Sequence, residues 1–175
     1  MAGPLAVADT SVLIAFHQLD LLPSLTVFYQ TILVPAAVRT EFLHSEERTA
    51  RGRRAALTTL IDQPPFEPCD DYDTVQVRLL ERELGLGEAE ALSQATLREA
   101  RELLMDDRQG RRMAARQGHT TVGTLKLLAR LHRLELVDYG QAVQRLRAEI
   151  HFRASDAIVK KALEDSQDEM DHGIG

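Results

Sequence analysis

The stretch Leu5-Ala6-Val7-Ala8-Asp9-Thr10-Ser11-Val12-Leu13-Ile14 decides how the rest of the chain is read. Four apolar residues stop abruptly at a carboxylate and two hydroxyls. A short apolar run with a polar break behind it reads as a strand buried on both faces. Thr10 or Ser11 then offers a side-chain oxygen to the first amides of a helix through Val12, Leu13, Ala15 and Phe16.

The same alternation continues outward. Residues 21–28 suggest a second short helix, and Thr31-Ile32-Leu33-Val34 reads as a second buried strand. Pro35 closes that strand and suits a first helical position, so a helix is expected over 35–43. Residues 48–60 form a polar, arginine-rich helical stretch, broken by Gln63-Pro64-Pro65. Residues 66–69 fit a short strand. Val75, Val77, Leu79, Leu80 and Leu84 have helical spacing over 73–84, Gly85-Leu86-Gly87 interrupts it, and a helix restarts over 88–100. Leu103-Leu104-Met105 is a third clear strand, ending at Asp106-Asp107. A helix over 108–116 closes at Gly118, and 119–122 is a short strand. Gly123-Thr124 opens an apolar helix through Leu125, Leu127, Leu128 and Leu131, expected to pack in the core. Helices over 141–149 and 155–163 follow. The sequence predicts one domain over 1–164 and a loose acidic tail over 165–175. Buried runs alternating with helices define an α/β fold with a parallel sheet.

Composition narrows the function classes. With 175 residues, 44% hydrophobic and 27% charged, the chain matches one soluble globular domain. No apolar run is long enough to span a bilayer, the N-terminus lacks a basic leader region, and a cytoplasmic protein with no membrane partner is expected. A single cysteine, Cys69, excludes an internal disulfide framework and a Cys-rich zinc site; burial in the core is expected for it. The six histidines form no metal-binding spacing, and there is no phosphate-binding Gly-Lys-Ser/Thr loop. The net charge of −6 argues against a protein that simply coats nucleic acid. Only Lys126, Lys160 and Lys161 are lysines, so arginine dominates the bases. Arginine suits bidentate phosphate contacts, although genomic codon usage explains the bias as well.

Functional groups of open α/β sheets gather at the carboxyl ends of the strands. Here those ends are acidic. Asp9 ends the first strand and Asp106-Asp107 the third, Glu41 follows the second, and Glu88 and Glu90 open the helix that leads to the third. Each acid has a plain structural reading: Asp9 and Asp106-Asp107 as helix caps, Glu41 as a solvated helix residue, Glu88 and Glu90 as dipole partners in a first turn. Those readings weaken together, because four separate segments would place acids on one rim by accident. Crowded carboxylates repel, and a hard divalent cation such as Mg²⁺ or Mn²⁺ relieves the repulsion. Such an ion supports phosphodiester hydrolysis by water. Glu88 shares a helical face with Ala91, Leu92 and Ala95 and so points toward the sheet; Glu90 is rotated away by roughly 200°, but a first turn has freedom and both stay candidate metal ligands. Asp106 is slightly favoured over Asp107, and both stay candidates.

These residues resemble a known family. Val7-Ala8-Asp9-Thr10-Ser11-Val12-Leu13-Ile14 looks like the opening motif of PIN-domain ribonucleases. Val34-Pro35-Ala36-Ala37-Val38 with Thr40-Glu41-Phe42-Leu43 resembles the second acidic motif. Gly85-Leu86-Gly87-Glu88-Ala89-Glu90-Ala91, Leu104-Met105-Asp106-Asp107-Arg108 and Gly123-Thr124-Leu125 are similar to a prokaryotic PIN-like branch known mainly as predicted nucleic-acid-binding proteins. The resemblance spans about residues 5–163. It implies a three-layer α/β/α sandwich around a mostly parallel sheet of 4–5 strands. It implies Mg²⁺- or Mn²⁺-dependent cleavage of single-stranded RNA, with Asp9, Glu41, Glu88 and Asp106 as the acidic site. It also implies a toxin neutralised by a small antitoxin protein. Two positions depart from the wider family: the third acid is Glu where Asp is usual, and Met105 precedes the fourth acid where Thr is usual.

Other features bear on substrate and partners. Arg108, Arg111, Arg112 and Arg116 follow the fourth motif, and Arg51, Arg53 and Arg54 form a second basic cluster. They read either as phosphate-positioning groups or as a solvated face paired with nearby acids. Arg108 and Arg112, four residues apart, make a possible clamp. Thr10 and Ser11 join them as candidate substrate contacts. No aromatic residue interleaves these clusters, so base stacking is not indicated there. The helices from Val137 onward offer a homodimer or antitoxin surface. Three functions compete: a metal-dependent endoribonuclease, a nucleic-acid-binding or regulatory protein of the same fold with weak or no nuclease activity, and a protein whose carboxylates are purely structural.

Overall fold

The computed structural model describes residues 4–47 and 61–171. The arginine-rich segment 48–60, with Arg51, Arg53 and Arg54, lies outside the described residues. Five strands form one sheet: β1 (Leu5–Ala8), β2 (Thr31–Pro35), β3 (Phe66–Cys69), β4 (Glu102–Leu104) and β5 (Thr121–Val122), in the order β3-β2-β1-β4-β5. Every neighbouring pair is parallel. In the centre, Ala6 faces Ile32 on one side and Glu102 on the other, and Ala8 faces Leu104.

Strand alternation sorts the core into two layers. Ala6, Ala8, Ile32, Val34, Leu104 and Val122 face one side. They meet buried residues of α1 (Thr10–Gln18), α2 (Ala36–Glu47), α6 (Thr124–Arg133) and α7 (Tyr139–Glu149), with α8 (Asp156–Asp171) half-buried beyond. Val7, Leu33, Leu103 and Met105 face the other side, against α3 (Thr74–Leu80), α4 (Leu86–Leu97) and α5 (Arg108–Arg116). The result is the expected three-layer α/β/α sandwich around a parallel sheet.

Handedness explains which helix goes where. Right-handed crossovers that step toward one sheet edge put their helices on one face, and those that step the other way use the opposite face. The β1-α1-β2 and β2-α2-β3 connections step outward toward β3 with their helices on the first face. The connections from β3 to β4 and from β4 to β5 step back and use the second face. The direction therefore reverses between β1 and β4. Helices diverge there and leave a crevice at the strands' carboxyl ends, where ligands bind in open α/β sheets.

Element boundaries differ in instructive ways. Pro35 is the last strand residue, paired with Cys69, so α2 starts one residue later than expected. The segment after α1 is a 3-10 helix, Leu22–Val27. The helix expected over 73–84 stops at Leu80. Leu134 and Leu136, at the end of the apolar stretch, lie beyond α6 and are exposed. Helix α8 continues to Asp171, into the stretch expected to be loose, with Lys160–Glu164 and Lys161–Asp165 ion pairs one turn apart along it. Spacing of i, i+4 supports a helix where composition alone suggests none. No helix among the described residues is long and apolar enough to cross a membrane.

Candidate active site

Asp9 is the first residue beyond β1, and its backbone amide donates to the Leu104 carbonyl at 2.8 Å, one last rung toward β4. It holds the N-cap position of α1 but its side chain makes no capping bond. Instead the Ser11 hydroxyl donates to Asp9 Oδ2 at 2.7 Å. Asp9 is only 4% exposed. Burial pushes its carboxyl above the usual range, the Ser11 bond pulls part of the way back, and the nearby charge of Glu41 adds to the rise. The capping role considered for Asp9 is thus not what holds it.

Asp106 stands two residues past the β4 residue that pairs with Ala8. Thr124, the first residue of α6, binds it twice: the amide donates to Oδ1 at 2.8 Å and the hydroxyl to Oδ2 at 2.5 Å. Gly123 is required beside it, because a Cβ there would sit 2.7 Å from Asp106 Oδ1. The Asp106 amide donates to Ser11 Oγ at 3.3 Å, so one hydroxyl links both strand ends. Burial raises the Asp106 carboxyl, against the Thr124 bonds and the charge of Arg111. Asp107 has a separate role: its Oδ2 accepts from the Gly110 amide at 2.7 Å and caps α5.

Glu88 and Glu90 separate clearly. Glu88 Oε2 accepts from the Gly85 amide at 3.1 Å, reaching back as in a capping box. Burial raises its carboxyl, and the charges of Asp9, Asp107 and Glu41 reinforce the rise. Glu90 is 3% exposed, and its Oε2 accepts from the Ala37 amide at 2.8 Å. It faces the N-terminus of α2, whose dipole complements the charge. The rotation away from the sheet inferred for Glu90 turns it into a neighbouring helix end, because α4 is covered by α2 as well as by the sheet.

A cavity of about 530 Å³ opens at this point. Asp9, Ser11, Glu88, Asp106, Asp107 and Arg108 line it, together with Ile14, Ile150 and Phe152. Glu41 stands beside it: Thr10 donates to its Oε2 at 2.6 Å, and a Cβ on Gly87 would lie 3.0 Å from both of its carboxyl oxygens. Both candidate hydroxyls, Thr10 and Ser11, therefore already donate to acids and act on the carboxylates' positions. Arg108 lines the cavity. Arg111 lies behind it, with a guanidinium nitrogen 3.5 Å from where a Gly123 Cβ would be. Arg112 is exposed on α5, one turn from Arg108, and is not part of the lining.

Four residues at the site are not among the site residues expected from the sequence. Gly123 and Thr124 stand in a family-like motif and at a helix start, and the Thr124 bonds to Asp106 beside Gly123 give that motif a physical reason. Ile150 and Phe152 carry no sequence signal, because only the return of α7 across α1 brings them to the rim.

In open α/β sheets ligands bind at the point where strand order reverses, and here the carboxylates stand at that point, between β1 and β4. The chain belongs to the PIN-domain family: a family model described as PIN domain matches residues 5–168. The PIN domain is generally a nuclease fold. Among solved structures, the chain resembles PAE2754 from Pyrobaculum aerophilum, at 21% identity and a TM-score of 0.49, covering 76% of this chain and 99% of that one. No curated protein matches it.

Proposed function

We propose that the protein is a divalent-metal-dependent endoribonuclease that hydrolyses single-stranded RNA. One observation carries this reading. Three carboxyl groups, Asp9, Glu88 and Asp106, line one cavity at the sheet's point of reversal with their protonation pushed upward by burial. A cluster in that state favours a cation.

The donor set suits the ion. Carboxylate oxygens are hard ligands for Mg²⁺ or Mn²⁺. Among the described residues, no three His, Cys, Asp or Glu side chains already stand close enough to enclose an ion. Mg²⁺ commonly uses one or two carboxylates and keeps several waters, so a closed cage is not required. Asp9, Glu88 and Asp106 would hold the ion, with Glu41 and Asp107 adjacent. Bound there, the ion supplies positive charge that favours water attack and offsets the charge of the phosphate. The protein's own groups do the positioning. Thr124 fixes Asp106 through two bonds, Ser11 ties it to Asp9, and Arg108 offers a guanidinium to a phosphate oxygen. Water adds its oxygen to phosphorus, the bond from phosphorus to the 3′ oxygen breaks, and one water proton ends on that oxygen, leaving 5′-phosphate and 3′-hydroxyl ends.

On the same reading the protein is a cytoplasmic toxin held in check by a small partner protein. What supports that is the likeness to the PIN-like prokaryotic branch. A small reading frame next to its gene is the expected sign.

The test is cleavage of single-stranded RNA with Mn²⁺ by the wild type and by Asp9→Asn. Cleavage should depend on the metal and fall at least about 100-fold in the variant. Activity that persists undiminished in Asp9→Asn removes the site from the reaction. A well-folded wild type that binds RNA without cutting it supports the regulatory alternative.

A further inference from the structure

The cavity has two unlike walls. Strand-end carboxylates form one, and Ile14 of α1 with Ile150 and Phe152 form the other. A hydrated cation gains nothing from the second wall, since apolar side chains offer it no oxygen. A duplex presents mainly sugar and phosphate to such a cleft and keeps its base faces stacked inside.

The apolar wall is firmly built. The amides of Ile150 and Phe152 both donate to the Leu146 carbonyl, at 3.1 and 3.2 Å, which ends α7 and turns the chain. His151 between them takes φ of 54°, a left-handed conformation that costs energy outside glycine. This kink sets residues 150 and 152 side by side on the cavity. Beyond them, an Arg147 guanidinium nitrogen donates to the Ala154 carbonyl and to Asp156 Oδ1, each at 2.8 Å. The segment is therefore pinned on both sides of Phe152. Ile150 and Phe152 rest half-buried on the core, with surface left toward the cleft.

We propose that Phe152, backed by Ile150 and Ile14, is a stacking platform for an unpaired nucleobase adjacent to the phosphate held at the carboxylates. This rests on the nuclease reading and adds to it the residue that would contact the base, without regard to sequence. Every base has a π-face, and among the described residues the hydrogen-bonding side chains that line the cavity are the acids, Ser11 and Arg108, none of which belongs to the segment that carries Ile150 and Phe152. The cavity volume is within the ~300–1,000 Å³ of small-ligand sites. Phe152 is thus a specificity-determining residue, and strand separation is the property it selects.

The experiment measures binding apart from cleavage. Wild type, Phe152→Leu and Phe152→Ala are titrated in Ca²⁺ buffer with a short single-stranded oligoribonucleotide. The probe carries one 2-aminopurine, and matched probes have a single abasic position stepped along the strand or a hairpin duplex in place of the single strand. Thermal unfolding checks the fold of each variant. Phe152→Leu keeps apolar bulk but no ring, so affinity should fall roughly tenfold, and 2-aminopurine quenching should vanish. One abasic position should cost the wild type a similar factor and cost the Leu variant nothing. Equal abasic penalties in both proteins, or no penalty at any position in the wild type, overturn the platform and leave the nuclease reading intact. A wild-type abasic series without any penalty overturns the platform even if neither of those variants folds; where the penalty is present, Phe152→Tyr, which keeps a ring, should retain it together with the quenching. A folded wild type that binds neither probe overturns the nuclease reading, and the platform with it.

Discussion

Gly123→Ala isolates the support of Asp106 from its charge. Gly123 has φ of −95° and ψ of 172°, an extended conformation open to any residue. Space, not backbone freedom, demands the glycine. An added Cβ would meet Asp106 Oδ1 at 2.7 Å, where ordinary contact begins near 3.4 Å. The carboxyl must retreat by about 0.7 Å, which stretches the 2.8 Å bond from the Thr124 amide beyond useful range. A hydrogen bond to a charged acceptor contributes about 1.5–3 kcal/mol, and alanine returns about 0.4–1 kcal/mol by restricting the unfolded chain. The net expectation is a loss of about 1–2 kcal/mol. In a chain of this length that is a fall in Tm of roughly 2–8 °C. Cleavage should suffer more, by about 100-fold, because a displacement near 1 Å at a reacting site is costly. The assay pairs thermal unfolding with Mn²⁺-dependent RNA cleavage. Gly140→Ala serves as the control, since its nearest neighbour is Asp138 Oδ1 at 3.5 Å and helix α7 should tolerate or welcome it. A Gly123→Ala protein with wild-type Tm and full cleavage would refute the claim that the Asp106 carboxyl is fixed by this cradle.

Three more expectations follow from the acids. Asp9, Glu88 and Asp106 all have raised carboxyls, so the folded state holds their protons more tightly than the unfolded state. Their contribution is therefore fully favourable below the ordinary carboxylate values near 4 and is lost as pH rises through the raised values. Metal-free protein should gain Tm as pH is lowered from 7 toward about 5, and Asp9→Asn should flatten that slope; a wild-type Tm that falls over this range counts against the cluster. Glu90→Gln should cost about 1 kcal/mol by weakening the charged bond to the Ala37 amide and leave cleavage near wild type, while Glu88→Gln should do the reverse. Swapped results in unfolding and cleavage assays would reassign the two acids. Arg130→Leu removes both bonds to Glu102, at 3.0 and 2.9 Å, and strands a largely buried carboxylate. Unfolding in urea should register a loss of about 2–3 kcal/mol, discounted from a full burial penalty because the arginine is one-fifth exposed.

Much of this architecture is legible without coordinates because burial on both faces leaves short uninterrupted apolar runs. Thr31-Ile32-Leu33-Val34 and Leu103-Leu104 announce themselves this way. Glu102 does not, since a charge at the start of β4 is tolerable only through Arg130 and Tyr29, which lie far away in sequence. The same limit governs the site. Periodicity brings Glu88 to the edge of its helix that lines the cavity, and strand ends place Asp9 and Asp106 there. What periodicity omits is the second neighbour: Glu90 is buried by α2, not by the sheet, and no pattern within 86–97 reveals that. Phe152 is invisible for a related reason. Its segment has no regular structure, so its position depends on how α7 crosses the core.

The buried acids themselves argue for which of them awaits a ligand. Glu102, Glu90 and Asp9 are all nearly closed off from water. Glu102 pairs with Arg130 and accepts from the Tyr29 hydroxyl, and these bonds outweigh its burial and hold its carboxyl below the usual range. Glu90 meets the positive end of α2. Among the described residues, Asp9 is met only by neutral groups, the Ser11 hydroxyl and the amides of Thr10 and Ser11 at the start of α1; burial outweighs them and the nearby charge of Glu41 adds to it, so its carboxyl moves up instead of down. A fold that satisfies two buried carboxylates internally and leaves the third short of positive charge has not done so for stability, since a neutral side chain would be cheaper there. The deficit sits where β1 and β4 diverge, the one place where the sheet's topology opens a crevice for a ligand. An electrostatic need and a place to meet it coincide at Asp9, and on the proposed nuclease reading a cation brought in with the substrate's phosphate would answer both.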